Sequence, residues 1–183
     1  MHKALRLLFV ALLLLVSTAL ARAGTLSGVD AMTSTVMQQH QSSFSGLGLR
    51  VRLQTAQIVD GFDFLPYVEY WRTSTTVEAF GITAARKDAT LGADVRYSFR
   101  RSGWRPYVGG GYGVHFLSSE VKVDQPSLGS RHEHDSVIRG GLSALGGAAF
   151  PLTSHLDNFI ELKYHHLPGM SQLKISFGIG WGL

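Results

Sequence analysis

The 183-residue chain predicts an all-β fold: an eight-stranded antiparallel up-and-down transmembrane β-barrel. Three observations predict it. Polarity alternates residue by residue in segment after segment. Beyond the first 23 residues no run of 18 apolar residues occurs, so no helix spans a bilayer. The connections alternate between short turns and longer polar loops. The last segment shows the alternation best. Leu173, Ile175, Phe177, Ile179, Trp181 and Leu183 fall on one face of a strand, and Lys174, Ser176, Gly178 and Gly180 on the other. The 21 glycines disfavour long helices, and 10 Phe with 6 Tyr favour strands.

The N-terminus reads as a cleavable export signal. Lys3 and Arg6 precede an apolar core from Leu7 to Val16, too short to span a bilayer as a helix, and Ala21-Arg22-Ala23 offers small residues for cleavage after Ala23. The expected division is residues 1–23 as signal peptide and 24–183 as the barrel domain. Removing Lys3, Arg6 and Arg22 takes 17 basic residues to 14 against 13 acidic ones, so the mature chain is nearly neutral. It carries no basic patch interleaved with aromatics, which argues against a nucleic-acid partner. With no cysteine, disulfides, thiol catalysis, Cys-based zinc sites and a lipid-anchored terminus are excluded.

Eight segments follow. The first, about 25–37, has a soft pattern with Val29, Ala31, Thr33, Thr35 and Met37 on one face. The second, about 44–55, alternates Leu47, Leu49, Val51 and Leu53 with Gly46, Gly48, Arg50 and Arg52. Asp60-Gly61 suits a tight reversal. The third, about 62–73, opposes Phe64, Pro66, Val68 and Tyr70 to Leu65, Tyr67, Glu69 and Trp71, with Pro66 expected near a strand end or a bulge. The fourth, about 88–99, sets Ala89, Leu91, Ala93, Val95 and Tyr97 against Thr90, Gly92, Asp94 and Arg96. The fifth, about 104–116, sets Val108, Tyr112, Val114 and Phe116 against Gly109, Gly111, Gly113 and His115. A loop is expected from Leu117 to about Asp135, then a sixth strand to Phe150, a seventh over about 158–166 and the final one.

The connections near 38–43, 74–87, 117–135 and 167–170 lie on one side. Those near 59–61, 100–103 and 151–157 lie on the other and are uniformly short. That asymmetry marks outer-membrane barrels, and it needs the weak first strand for even parity and closure. The ionic face then points inward. Arg50, Arg52, Arg96, Arg139, Lys163 and Lys174 would meet Glu69, Asp94 and Glu161 as a plug of salt bridges rather than an open pore.

The chain resembles the small outer-membrane β-barrel family, including the OmpA-transmembrane-like, OmpX-like and opacity-type proteins. The resemblance rests on RPYVGGGYGVHF at Arg105–Phe116, NFIELKYHH at Asn158–His166 and the terminal LKISFGIGWGL, and it covers nearly all of residues 24–183. Chains of that family usually end in Phe or Trp. Here Leu183 is last, and Trp181 lies two positions earlier on the same face. The resemblance implies an outer-membrane location in a Gram-negative cell envelope and a porin-like architecture.

Few residues suggest chemistry. Resemblance to the barrel lipid A deacylases, which place a His and a Ser two residues apart on the lipid-facing side, points to Tyr164-His165-His166-Leu167-Pro168-Gly169. The expected nucleophile position holds Pro168, and Ser171 is the nearest hydroxyl. His165 and His166 are therefore expected at the outer membrane interface, without catalysis. His132 and His134, with Glu133 and Asp135, form a His-x-His pair lacking a third ligand at a telling spacing, and read as a solvated loop tip. His115 is expected to be a hydrogen-bonded interior histidine. Gly109 to Gly113 lies within a strand and is no phosphate loop.

The expectation is a non-enzymatic, monomeric outer-membrane barrel with no catalytic, cofactor-binding or metal-binding residue and no cofactor. Its partners would be outer-membrane lipids, lipopolysaccharide and a surface partner at the 117–135 loop. The alternatives are a lipid A-modifying, deacylase-like enzyme, a periplasmic lipid-binding barrel with its faces inverted, and a small-solute channel.

Overall fold

The computed structural model describes residues 25–38, 43–54, 61–77, 82–99, 103–125 and 129–183. The expected export signal and its cleavage site lie outside the described residues. Eight strands follow one another: β1 (Thr25–Gln38), β2 (Phe44–Gln54), β3 (Phe62–Val77), β4 (Ile82–Ser98), β5 (Arg105–Gln125), β6 (Gly129–Pro151), β7 (Leu156–Leu167) and β8 (Met170–Gly182). Each pairs antiparallel with its neighbours, and β1 pairs with both β2 and β8, so the sheet closes into a barrel with no free edge. Closure satisfies the backbone internally, which hydrocarbon demands of any spanning sheet.

The soft first segment is a full member of the barrel. Its alternation is weak because its inward row is mixed, with Asp30 and Ser34 beside Met32 and Val36. Outward rows are apolar around the wall. Leu47, Val68, Leu142, Leu162 and Phe177 are all exposed, whereas Arg50 and Lys174 are each 1% exposed. An apolar exterior around an ionic interior reverses the arrangement of a soluble barrel. A periplasmic lipid-binding barrel would need the opposite sorting.

Glycines mark the tight ends. Gly61, immediately before β3, has φ 97°, and Gly169 turns β7 into β8 with φ 75°, both in the left-handed region that favours glycine, while Asp60 of the expected Asp-Gly turn lies outside the described residues. Pro66 departs from expectation. It lies inside β3, opposite Ala93 of β4, rather than at an end or a bulge. The β2–β3 pairing lapses between Arg50↔Tyr67 and Leu53↔Phe64, so the missing N–H falls where the ladder is already interrupted.

The described residues of two expected loops are strand instead. The segment 117–135 continues β5 to Gln125 and starts β6 at Gly129, and the segment 74–87 extends β3 to Val77 and starts β4 at Ile82. The pairing runs unbroken from Arg105↔Ala149 to Gln125↔Gly129. Outside the hydrocarbon a hairpin needs no apolar face, so polar alternation such as Ser119-Glu120-Val121-Lys122-Val123 still carries a ladder.

Candidate functional site

Among the described residues the barrel interior holds a set of fully buried ion pairs. Alternation in β1, β2 and β7 aims Asp30, Arg50 and Glu161 at one another. Arg50 Nε donates to Asp30 Oδ2 at 2.9 Å, and its Nη1 donates to Glu161 Oε2 at 2.8 Å. Arg52 Nε lies 3.0 Å from Asp30 Oδ1. Further along the barrel Lys163 Nζ donates to Asp94 Oδ2 at 2.6 Å, and Lys174 pairs with Glu69. Lys163 Nζ also sits 3.5 Å above the centre of the Tyr67 ring. At the end that carries the short 59–61, 100–103 and 151–157 connections, here the inner end as against the outer end with the long hairpins, Arg96 pairs with Asp63 at 2.7 Å, and Arg105 and Arg52 both pair with Asp157.

Eight of the nine ionic residues expected inside meet there. Arg139 has the inward parity but sits in the outer mouth, where its Nη1 donates to Pro168 O at 2.5 Å. Asp30, Asp63, Asp88, Arg105 and Asp157 join them beyond the expected set. Their strands carry them on the inward row, so parity alone pointed to Asp30 and Asp88. The others lie at strand ends, where alternation fades.

The ionic layers separate two mouths. The outer one holds a cavity of about 390 Å³ lined by Trp71, Arg86, Leu117, Asp135 and Arg139 among others. The inner one holds about 520 Å³, lined by Arg52, Asp63, Arg96, Arg105 and Asp157 among others. An apolar collar of Val36, Phe44 and Trp71, backed by Leu117, narrows the outer mouth, with the Phe44 and Trp71 rings 4.3 Å apart.

The histidines separate by parity. His115 is buried inside, its Nδ1 2.8 Å from Asp88 Oδ2 and 2.9 Å from Thr90 Oγ1. In an acid–histidine–nucleophile relay the acid and the nucleophile use different ring nitrogens. Here both crowd Nδ1, so the group is a structural hydrogen-bond cluster. His165 corrects an expectation: it is not at the outer interface but fully buried in the lumen, its ring edge-on to His115 at 5.2 Å. Adjacent residues of a strand face opposite ways, so only His166 remains outside. Across the β7–β8 hairpin His166 lies directly opposite Ser171, and the Ser171 Oγ and His166 Nδ1 atoms are 3.4 Å apart. Cross-strand register, not spacing along the chain, makes this contact. Among the described residues no carboxylate hydrogen-bonds to His166.

His134 projects into water on the β5–β6 hairpin, its Nδ1 3.4 Å from Ser118 Oγ and 3.3 Å from Ser119 O. Its partner in the expected pair, His132, faces Lys122 across the ladder, and its side chain lies outside the described residues. Glu133 and Asp135 alternate to the opposite face of the hairpin from His134. Among the described residues no group of three or more His, Asp or Glu side chains stands close enough to hold a metal. Gly109 to Gly113 is strand, as expected.

No protein-family model matches the sequence, and no curated protein does. Solved structures do. Neisserial surface protein A aligns at a TM-score of 0.60 with 15% identity, covering 85% of this chain and 95% of that one. A major outer membrane protein of Thermus thermophilus aligns at 0.63 with 11% identity, covering 87% and 100%. The fold is that of the small outer-membrane barrels. The attachment invasion locus protein of Yersinia pestis, in complex with the heparin analogue sucrose octasulfate, shares it at 0.58 with 13% identity over 86% of this chain and 99% of that one.

Proposed function

We propose that the protein is a non-enzymatic integral outer-membrane barrel that works by structure and surface interaction. Residues 1–23 are removed as the export signal, and the mature chain spans the membrane as a monomer. It contacts outer-membrane lipids and lipopolysaccharide and presents the β5–β6 hairpin to a partner. One observation carries this reading: apolar side chains cover the outside while paired charges fill the inside. Aromatic residues support it by marking an inner membrane edge. The Tyr97 ring lies 5.0 Å from that of Phe62 and 5.3 Å from that of Phe99, and Trp104 stacks with Phe150 at 6.5 Å, all on the outward face at one end of the wall.

Cell fractionation with gel migration before and after boiling tests the reading. The expected result is an outer-membrane protein whose unboiled form migrates as a compact barrel. A soluble periplasmic protein would overturn it.

The Ser171–His166 contact favours a second reading, a lipid A-modifying enzyme acting from the lipid-facing side. Lipid A from cells with and without the gene separates the two. Loss of one acyl chain, abolished by His166→Ala, supports the enzyme; unchanged acylation supports the non-enzymatic barrel.

A further inference from the structure

We propose that Arg72 and Lys87 form a binding site for a phosphate of the outer-leaflet glycolipid, the phosphorylated glucosamine headgroup of lipopolysaccharide. The site deepens the outer-membrane reading above and rests on it for which leaflet the two cations meet.

The register sets the two cations against each other. Arg72 of β3 lies directly opposite Lys87 of β4, in the same outward row as Tyr70 and Ala89 one step below. Both are exposed. Like charges directly opposite across a strand pair repel, so this placement is unfavourable unless an anion sits between them. Among the described residues neither cation has a carboxylate within ion-pair distance. The nearest acid of the cleft, Glu120, is 3.3 Å from Lys122. The inner end of the barrel is different: there Arg52, Arg96 and Arg105 are all committed to carboxylates.

Depth places the pair at the headgroups. On β3 and β4 the inner aromatic pair is Phe62↔Tyr97, and Arg72↔Lys87 lies ten residues further along each strand. Ten residues rise roughly 33 Å along a strand, or about 25 Å along the membrane normal at a tilt of about 40°. That matches the height of the apolar band of outer-membrane barrels. Tyr70 and Val68, directly below on β3, are exposed and belong to that band. Arg72 and Lys87 are thus the first charged outward row beyond the hydrocarbon, on the side of the long hairpins.

The surface there is concave. A cleft of about 200 Å³ is lined by Tyr70, Arg72, Arg86, Lys87, Ser118 and Glu120. The planar Arg72 guanidinium and the Lys87 ammonium present the forked and point-like donors that a phosphate monoester accepts, with Ser118 beside them. Lys87 lies opposite Ser118 in the β4–β5 ladder, so one strand pair holds both groups at fixed spacing.

The test uses the full mature chain folded in neutral detergent, with purified lipopolysaccharide, its enzymatically dephosphorylated form and phosphatidylglycerol as probes, and retained lipid read by native mass spectrometry. The wild type is expected to retain lipopolysaccharide. Arg72→Gln with Lys87→Gln is expected to weaken retention at least tenfold, and the dephosphorylated lipid should bind the wild type as weakly. Both positions are exposed, so the double variant keeps the boiling-dependent gel shift, which controls for folding. Retention within twofold of wild type in a variant that passes that control overturns the site and leaves the outer-membrane reading intact. Equal retention of phosphatidylglycerol also overturns it, because it reduces the pair to general anion attraction. A chain found soluble in the periplasm overturns both.

Discussion

Arg50 shows how one residue ties the barrel together. Its guanidinium bridges Asp30 on β1 and Glu161 on β7 while lying 4.8 Å from the centre of the Phe159 ring. Buried ion pairs gain little over apolar packing, yet breaking one strands a charge in a dry interior. Arg50→Met is therefore expected to lower stability by about 3–5 kcal/mol in urea unfolding from lipid vesicles. Adding Glu161→Gln should recover part of the loss, and strictly additive losses would show that the two residues do not interact. Tyr67 makes a second demand. Its ring crosses the barrel where Gly92 offers no side chain: a Cβ there would stand 2.5 Å from Tyr67 Cζ and 2.7 Å from Tyr112 O. Gly92→Ala is expected to cost about 1–3 kcal/mol by overpacking. At Gly146 the nearest atom to a new Cβ is Tyr107 O at 3.8 Å, so Gly146→Ala should stay within about 0.5 kcal/mol of wild type in the same titration.

The strands differ in what they need from the membrane. β5 and β6 span 21 and 23 residues, roughly twice what a tilted strand uses to cross hydrocarbon. Their outer parts form a hairpin paired only with itself and with β4 up to Ile82↔Val123. Replacing residues 120–134 by an Asn-Gly turn is expected to leave the urea midpoint and the boiling-dependent gel shift unchanged. A lost gel shift would mean that the hairpin helps close the wall. The extension also shows where the sequence stopped being legible. Within the membrane, hydrocarbon forces apolar side chains outward and makes parity visible, so the inward rows of β2 and β4 are legible residue by residue. Beyond it both faces meet water, and Thr75-Thr76-Val77 or Glu120-Val121-Lys122 carries no sign of which side is which. The same reasoning explains the histidines. His165 shares the inward parity of Lys163, so two adjacent histidines of one strand cannot both face the interface. The Ser171–His166 contact depends on the hairpin register, which the alternation of one strand does not specify.

For the molecule as a whole, the direction of sorting matters more than any single contact. A soluble barrel hides its apolar row and shows its charges; this one does the reverse, which only an apolar solvent stabilises. The cost of a charge on the wall should therefore depend on depth rather than on local packing. Val68 lies on the outward row of β3 between Phe62 at the inner edge and Arg72 at the outer, while Thr76 is exposed four residues beyond Arg72. In unfolding from lipid vesicles, Val68→Arg is expected to cost about 2–4 kcal/mol and Thr76→Arg close to nothing. Both side chains are already open to their surroundings, so neither change makes a cavity or breaks an ion pair. The difference then measures the solvent at each height. Equal costs would mean that the two positions meet the same medium, and the apolar wall would need an occupant other than lipid.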